Sequence, residues 1–581
     1  MDPQLVSASQ AQTQNGSSTP DVERRSANFS PSVWGDYFLK YASVETDDIE
    51  AEKSIKELKE EVKGVLRLSS PQRLDLIDYI QRLGVAHHFE DEIHQLLQQI
   101  HNQYSSSYDD DDLHTVALRF RLLRQQGFKV SCDMFNKFID VDGNLKESSV
   151  ADVPGLLSLY EAAHLRTYGD DILDRAMSFT TTHLESAVAA QGRLIPPLSN
   201  QVAHALYQPL WMGNPRIEAR HYLSSYQELN SAPHFSQSLL TFAKLDFNQL
   251  QRIHQKELSE ITRWWKELDF VNKLPFARNR IVEAYFWSLG VCFEPKYRLP
   301  RETICKALGL LTMIDDTFDT YGKFDELELF AEAVERWDLS AMDSLPDYMK
   351  IIYEAVLNTY TEIETELAKE GNSYRIEYLV EGMQCQVRAY LKEAKWYHLK
   401  CTPKTYDEYM RVGLITSGMF LVEAAVIVPL AGEISTRDSL ESLFRDPNNK
   451  IVYASNILGR LLNDIRSHKH EQKRGNDFSA IQCYMKEHCV TEEEALIELN
   501  KQVNDAWKDV NEVLLQPPTT VPRPILLLCL NLFVLATILS VLSRGATSDE
   551  EFTAQAIDTH GGVSRATIGK FPRIGASSGE L

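Results

Sequence analysis

Apolar positions recur at helical spacing along almost the whole chain. In Lys53–Leu66, Ile55, Leu58, Val62 and Leu66 fall on one face and the charges on the other, which predicts an amphipathic helix. The same period recurs in Arg73–Leu97, Leu113–Gly127, Val153–Tyr168, Gly169–Ala190 and Phe235–Asp269. Strand-type alternation between Asn-Gly or Asp-Gly turns is essentially missing, and no fixed-length repeat emerges. The pattern predicts an all-α fold of two stacked helical domains, 24–233 and 234–543, separated at the Ser231-Ala-Pro233 break. Residues 1–23, rich in Ser, Gln and Thr, and the Gly/Ser/Ala/Thr-rich stretch 544–581 are expected to be disordered.

One apolar run competes with this picture. Ile525–Leu542 is 18 residues without a charge, close to the length that spans a bilayer. Asn531, Thr537, Ser540 and the Pro522-Arg-Pro524 entrance weigh towards a buried core helix, with a membrane anchor as the lesser reading.

Charge narrows the choice of partners. The 581 residues carry 83 Asp+Glu against 60 Lys+Arg, a net −23, which argues against nucleic acid or an anionic membrane surface. An anionic small molecule stays open if cations mediate the contact. The 26 glycines are few for this length and favour helix over turn-rich β structure. None of the eight cysteines forms a Cys-x-x-Cys pair, so reduced thiols are expected. Met1–Asp21 has no apolar core of a secretory signal and is short and acidic for a plastid transit peptide, so the cytoplasm is expected. A monomer is expected too. The acidic run Tyr108-Asp-Asp-Asp-Asp-Leu113 reads as a solvated loop, because four adjacent carboxylates repel one another.

Three motifs carry chemistry. In Leu310–Gly322, Asp315, Asp316 and Asp319 follow an apolar run, and i to i+4 spacing sets Asp315 and Asp319 on one helix face. Stacked like charges need a counterion, and Mg²⁺ suits hard carboxylate oxygens while retaining room for substrate phosphates. Mn²⁺ satisfies the same donors. Downstream, Asn463, Ser467 and Glu471 lie at i, i+4 and i+8, one stripe of oxygen donors for a second, less charged metal site. Upstream, Arg278 and Arg280 can clamp diphosphate oxygens by bidentate hydrogen bonds, and Arg460, one turn before Asn463, is a third cation for the same task.

Taken together, these motifs resemble those of plant class I terpene synthases, the sesquiterpene synthases in particular. Trp264-Trp265-Lys266, Tyr160-Glu-Ala-Ala-His-Leu-Arg166 and Arg24-Arg25 followed by eight residues and Trp34 add to the resemblance, which covers about 24–532. It implies an N-terminal α-barrel domain and a C-terminal terpenoid-synthase helical bundle. It implies three Mg²⁺, bound by Asp315 and Asp319 on one side and Asn463, Ser467 and Glu471 on the other. Arg278 and Arg460 would contact the diphosphate and Arg280 would draw it from the cation. Farnesyl diphosphate is the implied substrate, with geranyl diphosphate as the alternative. Trp287, seven residues after Arg280, is a candidate for stabilising the carbocation through its ring face. Leu414-Ile-Thr-Ser-Gly418 breaks a helical pattern, either as a glycine kink or to turn carbonyls towards the cation.

After Asn531-Leu532 the resemblance ends. The family's Tyr- and Asp-containing lid loop has no counterpart, and no tyrosine follows Tyr484. Weak or altered turnover, with alcohols from water capture, is therefore expected.

Overall fold

The computed structural model describes residues 24, 29, 31–43, 49–67, 73–103, 112–190, 194–225, 237–432, 434–447, 449–473 and 478–542, with the backbone alone at 470, 471, 473 and 539–542. Among these residues the regular structure is helical, and the one β feature is an isolated bridge between Ile139 and Leu145. The expected disorder at 1–23 and 544–581, the Ser231–Pro233 break and Asp109–Asp111 lie outside the described residues. Asp112, the last of the acidic run, N-caps the helix Leu113–Gln125 by accepting the Thr115 N–H at 2.8 Å.

Two large apolar cores organise the chain. One joins Val62, Leu97, Phe120 and Leu173, on the buried faces of amphipathic helices read from the sequence, with Phe135 from the 3₁₀ turn Cys132–Phe138. The other gathers helices from Ile281 to Ile538. The 32-residue helix Gln237–Leu268 feeds both: Leu239, Leu240, Phe242 and Ala243 pack into the first core, Leu258, Ile261 and Trp265 into the second. Trp34 and Phe38 also pack into the second core, so a segment early in the sequence closes against helices late in it.

A buried ion pair fixes the helices that carry the site. Glu257 on the long helix takes two hydrogen bonds from Arg301, at 2.8 and 2.7 Å, and a third from the Tyr285 hydroxyl at 2.7 Å. Arg301, fully buried in the first turn of the helix Arg298–Asp316, also donates to the Cys292 and Glu294 carbonyls. A paired, fully hydrogen-bonded charge of this kind sets one register for three helices, whereas removing either partner strands a buried charge. Across the two cores, buried Asn511 accepts the Trp211 indole N–H at 2.9 Å and donates to the carbonyls of His164 and Arg166.

Ile525–Leu542 lies within the helix Arg523–Leu542, and Ile525, Leu526, Leu528, Leu532, Phe533 and Leu535 are buried in the second core. This is the core-helix reading. By length and composition alone, Tyr406–Ile427 is apolar enough to cross a membrane, but 61% of its most apolar 18-residue window is buried inside the protein.

Candidate active site

The helix Arg298–Asp316 buries Ile304, Leu310 and Ile314 and delivers Asp315 and Asp316 at its end. There the helix widens into a π turn, Thr317–Tyr321, rather than continuing as the α-helix that the i, i+4 spacing suggested. Local donors explain the change. Thr317 and Thr320 hydroxyls bond back to the carbonyls of Met313 and Asp316, and the Gly322 N–H reaches the Thr317 carbonyl at 2.8 Å. A side chain at Gly322 would press a Cβ 2.5 Å from Leu327 and 2.9 Å from the Thr317 carbonyl, so glycine is required for this closure. The turn buries Phe318 and leaves Asp319 exposed. Single π turns of this kind gather at functional sites.

Arg278 spans the first two aspartates. Its backbone N–H and Nε bond Asp316 at 2.6 and 2.8 Å, and its other guanidinium nitrogen bonds Asp315 at 2.6 Å. Asp316 is 1% exposed, and burial pushes its carboxyl up to about 6, against the pull of Arg278. Arg280 stands at the N-cap of the helix Ile281–Val291 and bonds the Asn279 carbonyl at 3.1 Å. Trp287, on that helix, is half-buried against the second core.

The second motif lies on the helix Lys450–Lys473. Asn463 is exposed and its amide oxygen accepts from Arg460 at 2.8 Å; Ser467 is half-buried. Glu471 lies on the same helix, its side chain outside the described residues. Arg460 also ion-pairs with buried Asp464 at 3.4 Å, and the Tyr409 hydroxyl donates to Asp464 at 2.6 Å.

Between these two walls runs the helix Ile376–His398. Tyr390 faces Asp315 and Asp319; burial and these two carboxylates raise its phenol well above the ordinary range. One turn on, half-buried Glu393 accepts the Thr416 hydroxyl at 2.7 Å. Desolvation lifts the Glu393 carboxyl to about 7; Arg460 pulls it down, and Asp315 and Asp464 push it up. Glu393 thus feels both motifs at once. Thr416 ends the helix Tyr406–Thr416, and Gly418, at φ 79°, starts the next, Met419–Ile427. The helix break is real. The carbonyls of Gly413, Leu414 and Ile415 accept local hydrogen bonds there, as expected of a glycine kink.

Arg24 closes one edge. It pairs with Glu326 at 2.6 and 2.8 Å, bonds the Tyr321 carbonyl, and lies over the Tyr321 and Tyr348 rings. Phe276 stacks on Tyr321 at 3.9 Å, and Phe29 lies 4.9 Å from the Arg278 guanidinium.

All the donors placed at the two motifs are hard oxygens, and Asp315 and Asp316 already hold a cationic group between them. The residues therefore fit a hard divalent cation.

Comparison with known proteins gives the family. The terpene synthase family's metal-binding domain matches residues 266–509, and its N-terminal domain matches residues 33–206. The chain belongs to the terpene synthase family. It is therefore an enzyme of the lyase class. The terpene synthase is 51% identical over 541 residues to (-)-germacrene D synthase of Vitis vinifera, covering 92% of this chain and 94% of that protein. It is 48% identical over 514 residues to sesquiterpene synthase 2 of Toona sinensis, covering 88% and 91%. Its fold is similar to isoprene synthase of grey poplar (Populus x canescens) solved with three Mg²⁺ ions and dimethylallyl-S-thiolodiphosphate: TM-score 0.81, 33% identity, 88% and 96% covered.

Tyr390, Glu393 and Tyr409 were not found by sequence reasoning, because each sits among ordinary helical residues; Thr416 lay within the flagged Leu414–Gly418 break but without its contact to Glu393. Asp464 had one signal, its position directly after Asn463.

Proposed function

We propose that this terpene synthase acts in the cytoplasm as a monomeric sesquiterpene synthase, ionising farnesyl diphosphate to diphosphate and an allylic cation that cyclises. The observation that carries the reading is the convergence of the aspartate turn and the Arg460–Asn463–Asp464 segment on Tyr390 and Glu393. Asp315, Asp319, Asn463, Ser467 and Glu471 would hold Mg²⁺, three ions in all. Bound there, the metal neutralises charge that develops on the departing diphosphate.

The protein's own groups supply the rest. The allylic C–O bond breaks heterolytically and its electron pair leaves on the diphosphate. Arg278 releases Asp315 while retaining Asp316, so its guanidinium turns to a diphosphate oxygen and Asp315 becomes available as a ligand. Arg460 contacts the same group from the facing helix, and Arg280 draws it away from the carbon skeleton. Trp287 offers a ring face to the cation. The carbocation is discharged by loss of a proton to give a hydrocarbon, or by addition of water followed by loss of a proton to give an alcohol.

The test offers the purified chain farnesyl or geranyl diphosphate with Mg²⁺, Mn²⁺ or a chelator, and reads products by gas chromatography. Metal-dependent C15 products from farnesyl diphosphate are expected. A folded chain that turns over neither substrate with metal would overturn the reading. A single cyclic hydrocarbon formed at ordinary rate would overturn the expectation of altered turnover.

A further inference from the structure

A second cluster of metal-ligating groups lies far from the aspartate turn in sequence and on other elements. The short 3₁₀ turn Ala86–His88 presents two consecutive imidazoles, and the long helix Gln237–Leu268 presents Asp246 to them. Nε2 of His88 stands 2.7 Å from Asp246 Oδ1, and Nε2 of His87 stands 3.9 Å from the same oxygen. One ligand atom from each residue lies within 4.8 Å of the other two. A tetrahedral ion with bonds of about 2.0–2.1 Å sets its ligands roughly 3.3 Å apart. Small side-chain shifts bring this triad to that spacing.

The triad is a built feature rather than a chance surface grouping. Asp246 is 4% exposed and its second oxygen, Oδ2, has no hydrogen-bond partner; neither has His87 Nδ1. Aromatic rings hold the imidazoles in place: Phe293 meets His87 edge-on at 5.4 Å, and Phe242 meets His88 at 5.1 Å. His88, 22% exposed at its side chain, leaves an entry path for an ion. Arg216 lies 4.0 Å from Asp246 Oδ2 and is packed on Phe247. It opposes added positive charge, but it also orients the carboxylate so that Oδ1 faces the imidazoles.

We propose that His87, His88 and Asp246 form a binding site for a transition-metal dication of the Zn²⁺ or Co²⁺ class, separate from the Mg²⁺-type donors of the active site. Two imidazole nitrogens and one carboxylate select such an ion over Mg²⁺, which takes oxygen ligands and keeps its waters. Binding needs a bare Nε2 on His88: in the neutral ring the proton shared with Asp246 moves to Nδ1, and from the imidazolium the Nε2 proton leaves to solvent while Nδ1 keeps its own. The bound ion ties the turn between two N-terminal helices to the helix that continues into the catalytic core.

The test titrates the full, metal-stripped chain with Co²⁺ in excess Mg²⁺, reading visible absorption and paramagnetically shifted imidazole resonances. One equivalent of Co²⁺ with imidazole resonances is expected, together with a Tm that rises with the logarithm of Co²⁺ concentration. His87→Ala and Asp246→Asn should weaken binding by about tenfold or more, whereas Asp315→Ala and His204→Ala should leave it unchanged. No uptake in excess Mg²⁺, an all-oxygen spectrum in the unsubstituted chain, or undiminished binding in a folded Asp246→Asn chain would overturn the proposal. The unsubstituted chain's resonances report the ligands even if a variant fails to fold.

Discussion

The N-terminal half and the surroundings of the two motifs treat charge differently, although the catalytic half also holds the matched Glu257–Arg301 pair. In the N-terminal half three acids find bases, Asp78 with Arg82 at 2.9 Å and with Arg121, Asp170 with Arg124, and Asp174 with Arg166, while buried Glu161 accepts the Leu210 N–H. In the catalytic half, Asp315, Asp316, Asp319, Glu393 and Asp464 gather around Arg278 and Arg460. Matched pairs fix geometry and leave nothing for a ligand to satisfy. A surplus of carboxylates is costly until cations arrive, so it marks the half that binds metal and then an anion. The net −23 of the chain, which alone argued only against polyanionic partners, is thus compatible with a diphosphate substrate.

The sharpest way to break this contrast is Asp315→Ala. It removes one carboxylate from the surplus and should cut product formation from farnesyl diphosphate by about 10³-fold or more, with circular dichroism unchanged. Retained turnover would show that the aspartate turn is not the metal-binding wall. Arg124→Met does the reverse in the paired half. It leaves Asp170 buried without its partner and strips bonds from the Val130 and Leu165 carbonyls. Denaturant unfolding should show a loss of about 3–5 kcal/mol, while activity per folded molecule stays the same.

Glu393 tests the surplus itself. Its folded carboxyl, raised to about 7, holds a proton more tightly than the unfolded chain does. Its contribution to metal-free stability is therefore present below about pH 4.5 and is lost as pH rises towards 7. Glu393→Gln should flatten that part of the stability–pH curve, by of order 3 kcal/mol above pH 7. An unchanged curve would mean that the Glu393 carboxyl titrates alike in the folded and unfolded chain. The smallest effect belongs to Arg24→Ala. Its pair with Glu326 is partly exposed, at 29% and 16%, so about 1 kcal/mol or less is expected in stability, seen as a small fall in Tm.

How much of this was legible beforehand follows from the range of each interaction. The all-α class and amphipathic faces such as Val62 and Leu66 rest on periodicity, which is local and survives in one dimension, and the buried helix Arg523–Leu542 on the polar residues that interrupt its apolar run. Asn463 and Ser467 lie on one continuous helix, where spacing converts directly into a shared face, whereas Asp315 and Asp319 straddle the start of the π turn, where it does not. The π turn was not visible, since it depends on two threonine hydroxyls and Gly322 competing for backbone carbonyls.

The sequence by itself therefore determined which elements form and which residue types are available for metal and diphosphate. Only the tertiary structure decided that Arg278 holds Asp315 and Asp316, that Glu393 senses both motifs, and that Arg24 reaches Glu326 across 302 positions. It alone joined His87 and His88 to Asp246, 158 positions from His88. Helix periodicity acts over a few residues, whereas desolvation and charge pairing depend on which helices pack together, and packing is set by the whole chain.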